Sequence, residues 1–530
     1  MSTLTWQNLT RTRAWQSLRS VARPSAIAVD PHAVAKLTVA VGAGLQFNYA
    51  ARGSSPAVVD ALTVLAEEQQ CIEKYHALAG GAVMNTGEGR MVLHHLTRGK
   101  LVEKMEAAAA PLDAFYREQH ARVADFAGRV HRGEITGSTG KPFDTVVQIG
   151  IGGSDLGPRA IYLGLKNGVA RSGGLKMRAH FISNVDPDDA AELLTQIDPE
   201  RTLFILVSKS GTTQETLANE TFVLEAMAAA AVPGLDPHRH MIAVTSQTSP
   251  LASSSNYLDS FFIDDYIGGR YSSTSAVGST ILTLAFGPEV VAEFLRGAHE
   301  ADRAALERDP RKNAALLDAL LGVWERNVLG YPATAVLPYS QALSRFPAHL
   351  QQLDMESNGK SVNRDGGQLD YSTGPIIFGE PGTNGQHSFY QLLHQGTDIV
   401  PLQFIGFHQS QLDRDVTIDG STSQTKLNAN LAAQIVAFSH GSQDANPNKS
   451  FAGGRPSSVI VGDRLTPAAL GALLAHFENK VMFQGFLWNI NSFDQEGVQL
   501  GKVLARKLLS GAADGALGAY AKLLGVSFPG

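Results

Sequence analysis

Cysteine is almost missing from this sequence, which holds only Cys71 among its 530 residues. A single cysteine cannot form a disulfide within the chain, and it excludes a zinc site built from cysteines alone. Such a composition is compatible with a reducing compartment.

Positive charge and long apolar runs are also scarce. The chain carries 44 Lys and Arg against 50 Asp and Glu, a net charge of −6. A nucleic-acid partner is therefore not expected, because neutralising phosphates requires a basic surface. No run reaches the roughly 18 apolar residues of a membrane span, and the polar N-terminus lacks a signal-peptide core. We expect a soluble, cytoplasmic protein with no membrane partner.

Apolar residues and glycine are plentiful. Hydrophobic residues make up 44% of the chain and charged residues 18%, so large cores can form. The 52 glycines suggest many tight turns between strands and helices. At roughly 150 residues per domain, the length predicts more than one domain.

Strand and helix patterns alternate along most of the chain. The first block consists of five segments that each contain one predicted strand: 145–165, 179–187, 202–220, 240–246 and 256–287. A second block has predicted strands at 331–340, 374–382 and 399–407, and helices at 427–440 and 465–485. This alternation predicts two α/β domains with parallel, doubly wound sheets.

The domain boundaries follow from the same patterns. Residues 1–100 are predicted to be a helical N-terminal segment without clear strands, since 58–79 shows helical spacing of its apolar residues. The first α/β domain is predicted at 101–288 and the second at 289–510. A C-terminal helical tail is predicted at 511–530.

The loop IGIGGSDLGP (149–158) follows the first predicted strand. Its glycines allow the backbone to approach an anion, and Ser154 offers a hydroxyl at a helix start. A purely structural glycine turn is the alternative. A dinucleotide site is not favoured, because the G-x-G-x-x-G pattern fails where Asp155 replaces the last glycine.

The loop VSKSGTTQET (207–216) places four hydroxyls within six residues between a strand and a helix. They belong to Ser208, Ser210, Thr212 and Thr213, beside Lys209. The free N–H groups of a helix start favour an anion, so a phosphomonoester is the predicted ligand. An N-capping cluster is the alternative, although capping needs one hydroxyl rather than four.

Arg270 and Glu356 are the candidate charged groups of a reaction centre. Arg270 follows two glycines and stays charged, which suits a phosphate or an enolate. Glu356 follows Leu353 and Met355, and a carboxylate among apolar neighbours can serve as a base near neutrality. The alternatives are a surface ion pair of Arg270 with a nearby aspartate, and a helix-end carboxylate.

His387 and Lys502 are the candidate proton-transfer groups of the C-terminal half. His387 lies where a glycine-rich loop meets a helix, a position typical of functional residues. His394, seven residues later, is expected to be structural. Lys502 could reach a substrate oxygen or could be an ordinary solvated lysine. No histidine spacing is typical of a metal site, so no metal is expected.

Taken together, the loops resemble the glucose-6-phosphate isomerase family. Six motifs carry the resemblance, in order along residues 149–502: IGIGGSDLGP, SK-x-x-TTQET, GGRYS, QQLDMESNGK, GEPGTNGQH-x-FYQL-x-HQGT and FDQ-x-GV-x-LGK. The resemblance implies two sugar-isomerase (SIS-type) αβα domains, a homodimer with a shared active site, and interconversion of glucose 6-phosphate and fructose 6-phosphate without a cofactor.

The resemblance also implies a role for each candidate residue. Glu356 would move the proton between carbons 2 and 1, Arg270 would stabilise the enediolate, and His387, from the partner chain, would open the ring with Lys502. The remaining residues would bind the sugar phosphate: Gly153, Ser154, Ser208, Lys209, Ser210, Thr213, Gln352 and Gln495.

The chain departs from the commonest version of the family at three places. Ser210-Gly211 replaces Thr-Phe, Ser273-Thr274 replaces a bulkier apolar pair, and Glu496 replaces a tryptophan. An amino-sugar isomerase, a non-catalytic sugar-phosphate sensor and a dehydrogenase remain as alternatives. The first would need an ammonia-handling domain, the second would not need the three proton-transfer groups together, and the third would need a dinucleotide loop.

Overall fold

The structure is a computed structural model, and it describes residues 4–21, 27, 29–512 and 514–526. The chain forms two compact units, Met1–Ser492 and Phe493–Gly530.

The regular elements of the described residues fall into two sets. The strands are β1 (Thr38–Gly42), β2 (Leu45–Asn48), β3 (Val83–Asn85), β4 (Arg90–Met91), β5 (Thr145–Ile149), β6 (Arg178–Ile182), β7 (Thr202–Val207), β8 (Met241–Thr245), β9 (Ser260–Phe262), β10 (Ala333–Pro338), β11 (Ile376–Phe378), β12 (Leu402–Phe407), β13 (Thr417–Ile418), β14 (Ser421–Thr422) and β15 (Ser457–Gly462). The α-helices are α1 (Arg13–Ser20), α2 (Pro31–Lys36), α3 (Pro56–Glu68), α4 (Cys71–Ala79), α5 (Ala110–His131), α6 (Leu156–Arg171), α7 (Pro187–Leu194), α8 (Gln214–Ala229), α9 (Ala276–Phe286), α10 (Pro288–Ala304), α11 (Ala314–Trp324), α12 (Phe346–Gln351), α13 (Tyr390–Gln395), α14 (Ser423–His440), α15 (Pro467–Leu487), α16 (Gln499–Leu509) and α17 (Gly515–Leu523).

The first sheet has the strand order β6-β5-β7-β8-β9, and all of its pairings are parallel. Strands β5, β7 and β8 are buried along their whole length, as expected for a sheet covered on both faces. The chain runs from β5 to β6 on one side and then to β7 on the other. The loops after β5 and β7 therefore border the switch point, where ligands bind in open α/β sheets.

The second sheet has the order β1-β2-β15-β12-β10-β11, of which β11, β10, β12 and β15 are parallel. The two α/β blocks predicted from the sequence are thus confirmed as parallel sheets. Strand β15 was not among the predicted strands. Its short run SSVIVG falls between a glycine-rich loop and the long helix α15, where six residues give little periodic signal.

The prediction that residues 1–100 lack strands was wrong. The hairpin β1-β2 adds antiparallel strands to the edge of the second sheet, and β3 and β4 form a separate pair. Strands of two to five residues are too short for a clear period of two. The hairpin turn at Gly42, Ala43 and Gly44 has positive φ at all three residues, which suits two glycines. Helices α3 and α4 confirm the helical reading of 58–79.

Helix α15 is the central helix of the first unit, and it is buried from Ala468 to Leu487. It packs closely against α10 at two glycines. A Cβ on Gly297 would lie 1.9 Å from the carbonyl oxygen of Ala468, and one on Gly471 equally close to that of Phe294. Only glycine permits this approach of the two helix backbones.

A buried charge cluster links the N-terminal residues to the second sheet. Asp318 of α11 accepts a hydrogen bond from Arg52 at 3.1 Å and contacts Lys480 at 3.3 Å. Burial alone would raise the pKa of Asp318, but Lys480, a hydrogen bond from His476 and Arg52 together hold that pKa well below its usual range. The carboxylate is therefore charged and fully paired inside the core.

The second unit contains α16 and α17. Helix α17 agrees with the predicted C-terminal helix. The boundaries at residues 100, 288 and 510 stay predictions. Within the described residues, no helix combines the length and the apolar character needed to cross a membrane.

Candidate active site

A hydroxyl-lined pocket of about 500 Å³ lies at the carboxyl ends of β5, β7 and β8. Its lining residues are Ile151, Ser154, Val207, Ser208, Lys209, Ser210, Thr213, Thr216, Ser246, Thr248, Ser249 and Asp265. The structure thus brings together five of the predicted binding residues at the switch point of the first sheet.

The loop between β7 and α8 forms one wall of this pocket. The Ser208 hydroxyl donates to Thr213 Oγ1 at 3.1 Å, and the hydroxyls of Ser210 and Thr212 lie 2.9 Å apart. Thr213 occupies the N-cap position of α8, yet its side chain accepts no N–H of the helix. The N-capping alternative is therefore not supported for this residue, and the cluster remains able to receive an anion.

Gly211 explains the first departure from the family pattern. Its φ is +69°, and a Cβ there would lie 2.3 Å from the Ser249 hydroxyl. An aromatic side chain at this position could not fit the present backbone. The loop packs instead against Ser249, Pro250 and Leu251.

Lys209 is paired inside the pocket. Its ammonium lies 3.4 Å from the Asp265 carboxylate and donates to the carbonyl of Ile267 at 3.3 Å. This pairing leaves the pocket with a balanced charge, so hydroxyl and N–H donors supply most of its attraction for an anion.

Gly153 joins the loop after β5 to the loop that carries Arg270. A Cβ on Gly153 would lie 2.1 Å from the carbonyl carbon of Gly269, so the two backbones touch. Gln352 approaches the same loop, because its amide nitrogen lies 3.3 Å from the position of a Cβ on Gly152. The Oε1 atom of Gln352 is buried without a hydrogen-bond partner. Gln352 therefore has unused acceptor capacity beside the pocket.

The neighbouring Asp155 is buried and bound to Arg159 at 2.8 Å. Burial raises the pKa of Asp155, and Arg159 opposes that rise. The carboxylate pairs with Arg159 of α6, and it occupies the position where a dinucleotide loop has glycine.

Arg270 and Glu356 form the charged centre of the site. Arg270 is only 1% exposed, and its Nη1 lies 3.5 Å from Oε2 of Glu356. Its Nε donates to Ser357 Oγ and its Nη2 to the carbonyl of Ser492, both at 2.7 Å. The alternative prediction, a surface ion pair between Arg270 and Asp264 or Asp265, was wrong. The chain instead places a buried cation against a carboxylate that is 23% exposed and accessible to a ligand.

Glu356 ends a short π-helical segment, Gln352–Glu356, that directly continues α12. Such single π turns are frequent at functional sites, because the wider turn redirects side chains. Leu353 is fully buried beneath this turn, whereas Met355 is 37% exposed. Of the two apolar neighbours in the sequence, only Leu353 is therefore buried.

The Ser273-Thr274 departure also has a structural reason. The Thr274 hydroxyl receives hydrogen bonds from Thr97 at 2.8 Å and from Arg98 Nε at 3.2 Å. A Cβ on Gly157 would lie 2.0 Å from the Ser273 hydroxyl, so the backbone of α6 closely approaches it. Bulkier apolar residues could not make the first pair of contacts.

His387 ends the short 3₁₀ turn Asn384–His387 and is exposed. The preceding Gln386 anchors the loop by donating to the Tyr339 hydroxyl at 2.7 Å. Among the described residues, no hydrogen bond or ion pair joins His387 to Glu356. His394 stacks on Phe438 at 3.7 Å and contacts Gln434, which agrees with its expected structural role.

Gln495 and Lys502 belong to the second unit, Lys502 on helix α16. Their part in the site stays a prediction. Glu496 lies in the 3₁₀ turn Glu496–Val498, and nothing in the structure explains its replacement of tryptophan. Across the residues that the structure describes, no group of three His, Cys, Asp or Glu is placed to hold a metal ion.

Several residues of the pocket were not predicted from the sequence. Ser246, Thr248 and Ser249 follow β8, and the Ser/Thr-rich run TSQTS after a buried strand was the available signal. Thr216 was within the quoted loop but was not selected. It is 2% exposed, lines the pocket and has an unpartnered Oγ1.

Comparison with known proteins agrees with this geometry. The family described as Phosphoglucose isomerase matches residues 49–520. The glucose-6-phosphate isomerase of Treponema pallidum is 58% identical over 98% of each chain, and that of Treponema denticola is 61% identical over 93% of this chain and 92% of its own. A crystal structure of a glucose-6-phosphate isomerase from Chlamydia trachomatis superposes with a TM-score of 0.90 at 43% identity, covering 98% of this chain and 100% of that one. The hydroxyl-lined pocket, the Arg270–Glu356 pair and these full-length similarities lead to one conclusion: the chain belongs to the phosphoglucose isomerase family.

Proposed function

We propose that this chain interconverts glucose 6-phosphate and fructose 6-phosphate, a reversible step of both glycolysis and gluconeogenesis. The observation that carries the proposal is the buried Arg270 held 3.5 Å from Glu356, on a loop that touches the loop after β5 beside the hydroxyl-lined pocket. Aldose–ketose isomerisation needs a base, and a cation beside the enediolate oxygens.

The pocket would bind the phosphate of the substrate. Ser154, Ser208, Ser210 and Thr213 supply hydroxyls, and Lys209 lies beside them. The Gly153 backbone would add a donor at the start of the next helix. Charge-assisted hydrogen bonds to phosphate are the strong ones, so this loop would dominate recognition.

Glu356 would carry the proton between carbons 2 and 1. With its carboxylate partly exposed and Arg270 behind it, the same group can remove the proton and return it to the neighbouring carbon. Arg270 would stabilise the negative charge that develops on the enediolate oxygens. The proposed chemistry uses no metal and no organic cofactor.

His387 and Lys502 would open the sugar ring, and Gln352 and Gln495 would line the sugar. His387 is exposed and has no bond to the Arg270–Glu356 pair within the described chain. We therefore propose that His387 completes the site of a second copy, in a cytoplasmic homodimer with two SIS-type domains per chain.

A coupled assay tests the proposed function. Fructose 6-phosphate formed from glucose 6-phosphate would be followed enzymatically, with free glucose as the matched substrate lacking phosphate. We expect turnover of the phosphate ester only. A protein that binds glucose 6-phosphate without converting it would be a sensor, and the proposed function would be wrong.

A further inference from the structure

We propose that Ser357 is a positioning residue that fixes the orientation of Arg270 against the base Glu356. The inference rests on the proposed isomerase function. Ser357 follows Glu356 directly in the chain and is fully buried. One residue therefore connects the backbone of the base to the guanidinium of the cation.

The contacts of the Ser357 hydroxyl support this role. It accepts the Nε–H of Arg270 at 2.7 Å and shares a hydrogen bond with the Tyr271 hydroxyl at 3.0 Å. A guanidinium is planar, so a bond at Nε and a second bond from Nη2 to the Ser492 carbonyl determine the direction of its plane. The third nitrogen, Nη1, is thereby aimed at Glu356.

The groups around this hydroxyl are themselves fixed. The Ser492 hydroxyl donates to Asn358 Oδ1 at 2.7 Å, and Asn358 Nδ2 donates to the carbonyl of Val481 in α15 at 3.1 Å. On the other side, His94 stacks on Tyr271 with ring centres 4.6 Å apart. Burial lowers the pKa of His94 well below its usual range, so this ring is neutral. The frame around Arg270 is therefore anchored to the central helix and to a packed aromatic pair.

Ser357 is expected to act on turnover rather than on substrate affinity. Phosphate binding depends on the loop after β7, whereas the charge of Arg270 acts on the negative charge that develops only when the enediolate forms. In the Ser357→Ala variant, Arg270 would keep its charge but lose the bond at Nε. We expect kcat to fall roughly 10- to 100-fold, the effect of a small misplacement, while KM stays within about threefold.

Two inhibitors test orientation separately from folding. Arabinonate 5-phosphate carries a carboxylate where the enediolate oxygens would form, and glucitol 6-phosphate carries only neutral hydroxyls there. Titration calorimetry on full-length wild-type protein and Ser357→Ala measures both affinities. We expect the variant to lose at least tenfold in affinity for the acid and less than threefold for the alditol. Equal losses for both ligands, or no loss for either, would overturn the role of Ser357.

Two further variants are the controls. Ser279→Ala removes another buried serine hydroxyl, one without a hydrogen-bond partner, and should leave both affinities unchanged. If Ser357→Ala does not fold, Ser357→Cys keeps the size with a weaker acceptor and must show the same selective loss. A wild-type protein that binds neither inhibitor would contradict the proposed function itself. If the Ser357 variant keeps the wild-type ratio of affinities for the acid and the alditol, only the positioning role is overturned.

Discussion

At the scale of single residues, the site combines the Arg270 guanidinium, which is buried from solvent, with the Glu356 carboxylate, which is partly exposed to it. Arg270 is 1% exposed and Glu356 is 23% exposed at its side chain. A buried guanidinium in fixed hydrogen bonds needs no reorientation when negative charge develops beside it. The sequence predicted both residue types, but not their contact. They are 86 positions apart, and the surface pairing of Arg270 with nearby aspartates looked equally reasonable.

The first prediction concerns the base. Glu356→Gln keeps the shape of the side chain and removes its ability to accept a proton. We expect turnover to fall by about 10³-fold or more, as for loss of a positioned acid–base group, with substrate affinity within several-fold. Steady-state kinetics of the two variants Glu356→Gln and Glu293→Gln, the latter an exposed glutamate on α10, would measure the effect. Near-normal turnover of Glu356→Gln would contradict its role as the base.

The second prediction concerns stability. Asp318→Asn would remove the carboxylate that Arg52 and Lys480 share and leave Arg52 only its pair with Glu325; breaking a buried pair in this way costs roughly 3–5 kcal/mol. The exposed Asp60, paired with Arg311, offers the matched control, because loss of a surface pair costs at most about 1 kcal/mol. Urea unfolding of Asp318→Asn and Asp60→Asn compares the two. Equal midpoints would show that the buried cluster adds nothing.

At the scale of elements, the residues of the phosphate pocket lie on loops that leave parallel strands at the carboxyl end of the first sheet, whereas Glu356 lies on the π turn after α12. The sequence predicted these strands well because each is a short, mostly apolar run followed by glycine or serine. It did not predict the π turn at Gln352–Glu356, since a widened turn leaves no signature in side-chain spacing. The hairpin β1-β2 was not predicted for a different reason. Its strands have only five and four residues, and the hairpin joins the sheet through the pairing of β2 with the distant β15.

The third prediction tests the phosphate loop. The double variant Ser208→Ala, Thr213→Ala removes two hydroxyls that line the pocket and bond to each other. We expect KM for glucose 6-phosphate to rise at least about tenfold with a smaller change in kcat, because the lost contacts exist in ground and transition states alike. Thr195→Ala, at the exposed end of α7, is the control. A variant with unchanged KM would show that the phosphate binds elsewhere.

At the scale of the whole molecule, the fold was largely predictable and the assembly was not. Alternation of strands and helices indicated two parallel sheets, and both exist. The sharing of a site between chains cannot be read from one chain's periodicity. It enters through the family resemblance, and the exposed position of His387 is compatible with it.

The fourth prediction tests the shared site by complementation. Homodimers of Glu356→Gln and of His387→Ala would each have two damaged sites. A mixed dimer would have one site with both lesions and one with neither, so random pairing on co-expression should restore about a quarter of wild-type sites. The control is a simple mixture of the two purified variants. Activity no higher than the mean of the parents would mean that His387 acts within its own chain or that the protein is not a dimer.

The most direct test of the central claim follows the proton itself. The wild-type protein is incubated with glucose 6-phosphate in D2O through many rounds of interconversion, and deuterium at carbon 1 of fructose 6-phosphate is measured by NMR. A proton carried on Glu356 exchanges with solvent during some transfers, so the account predicts steady incorporation of deuterium, and a parallel loss of incorporation and turnover in Glu356→Gln. Interconversion without any deuterium at carbon 1 would indicate direct hydride transfer and would contradict the account.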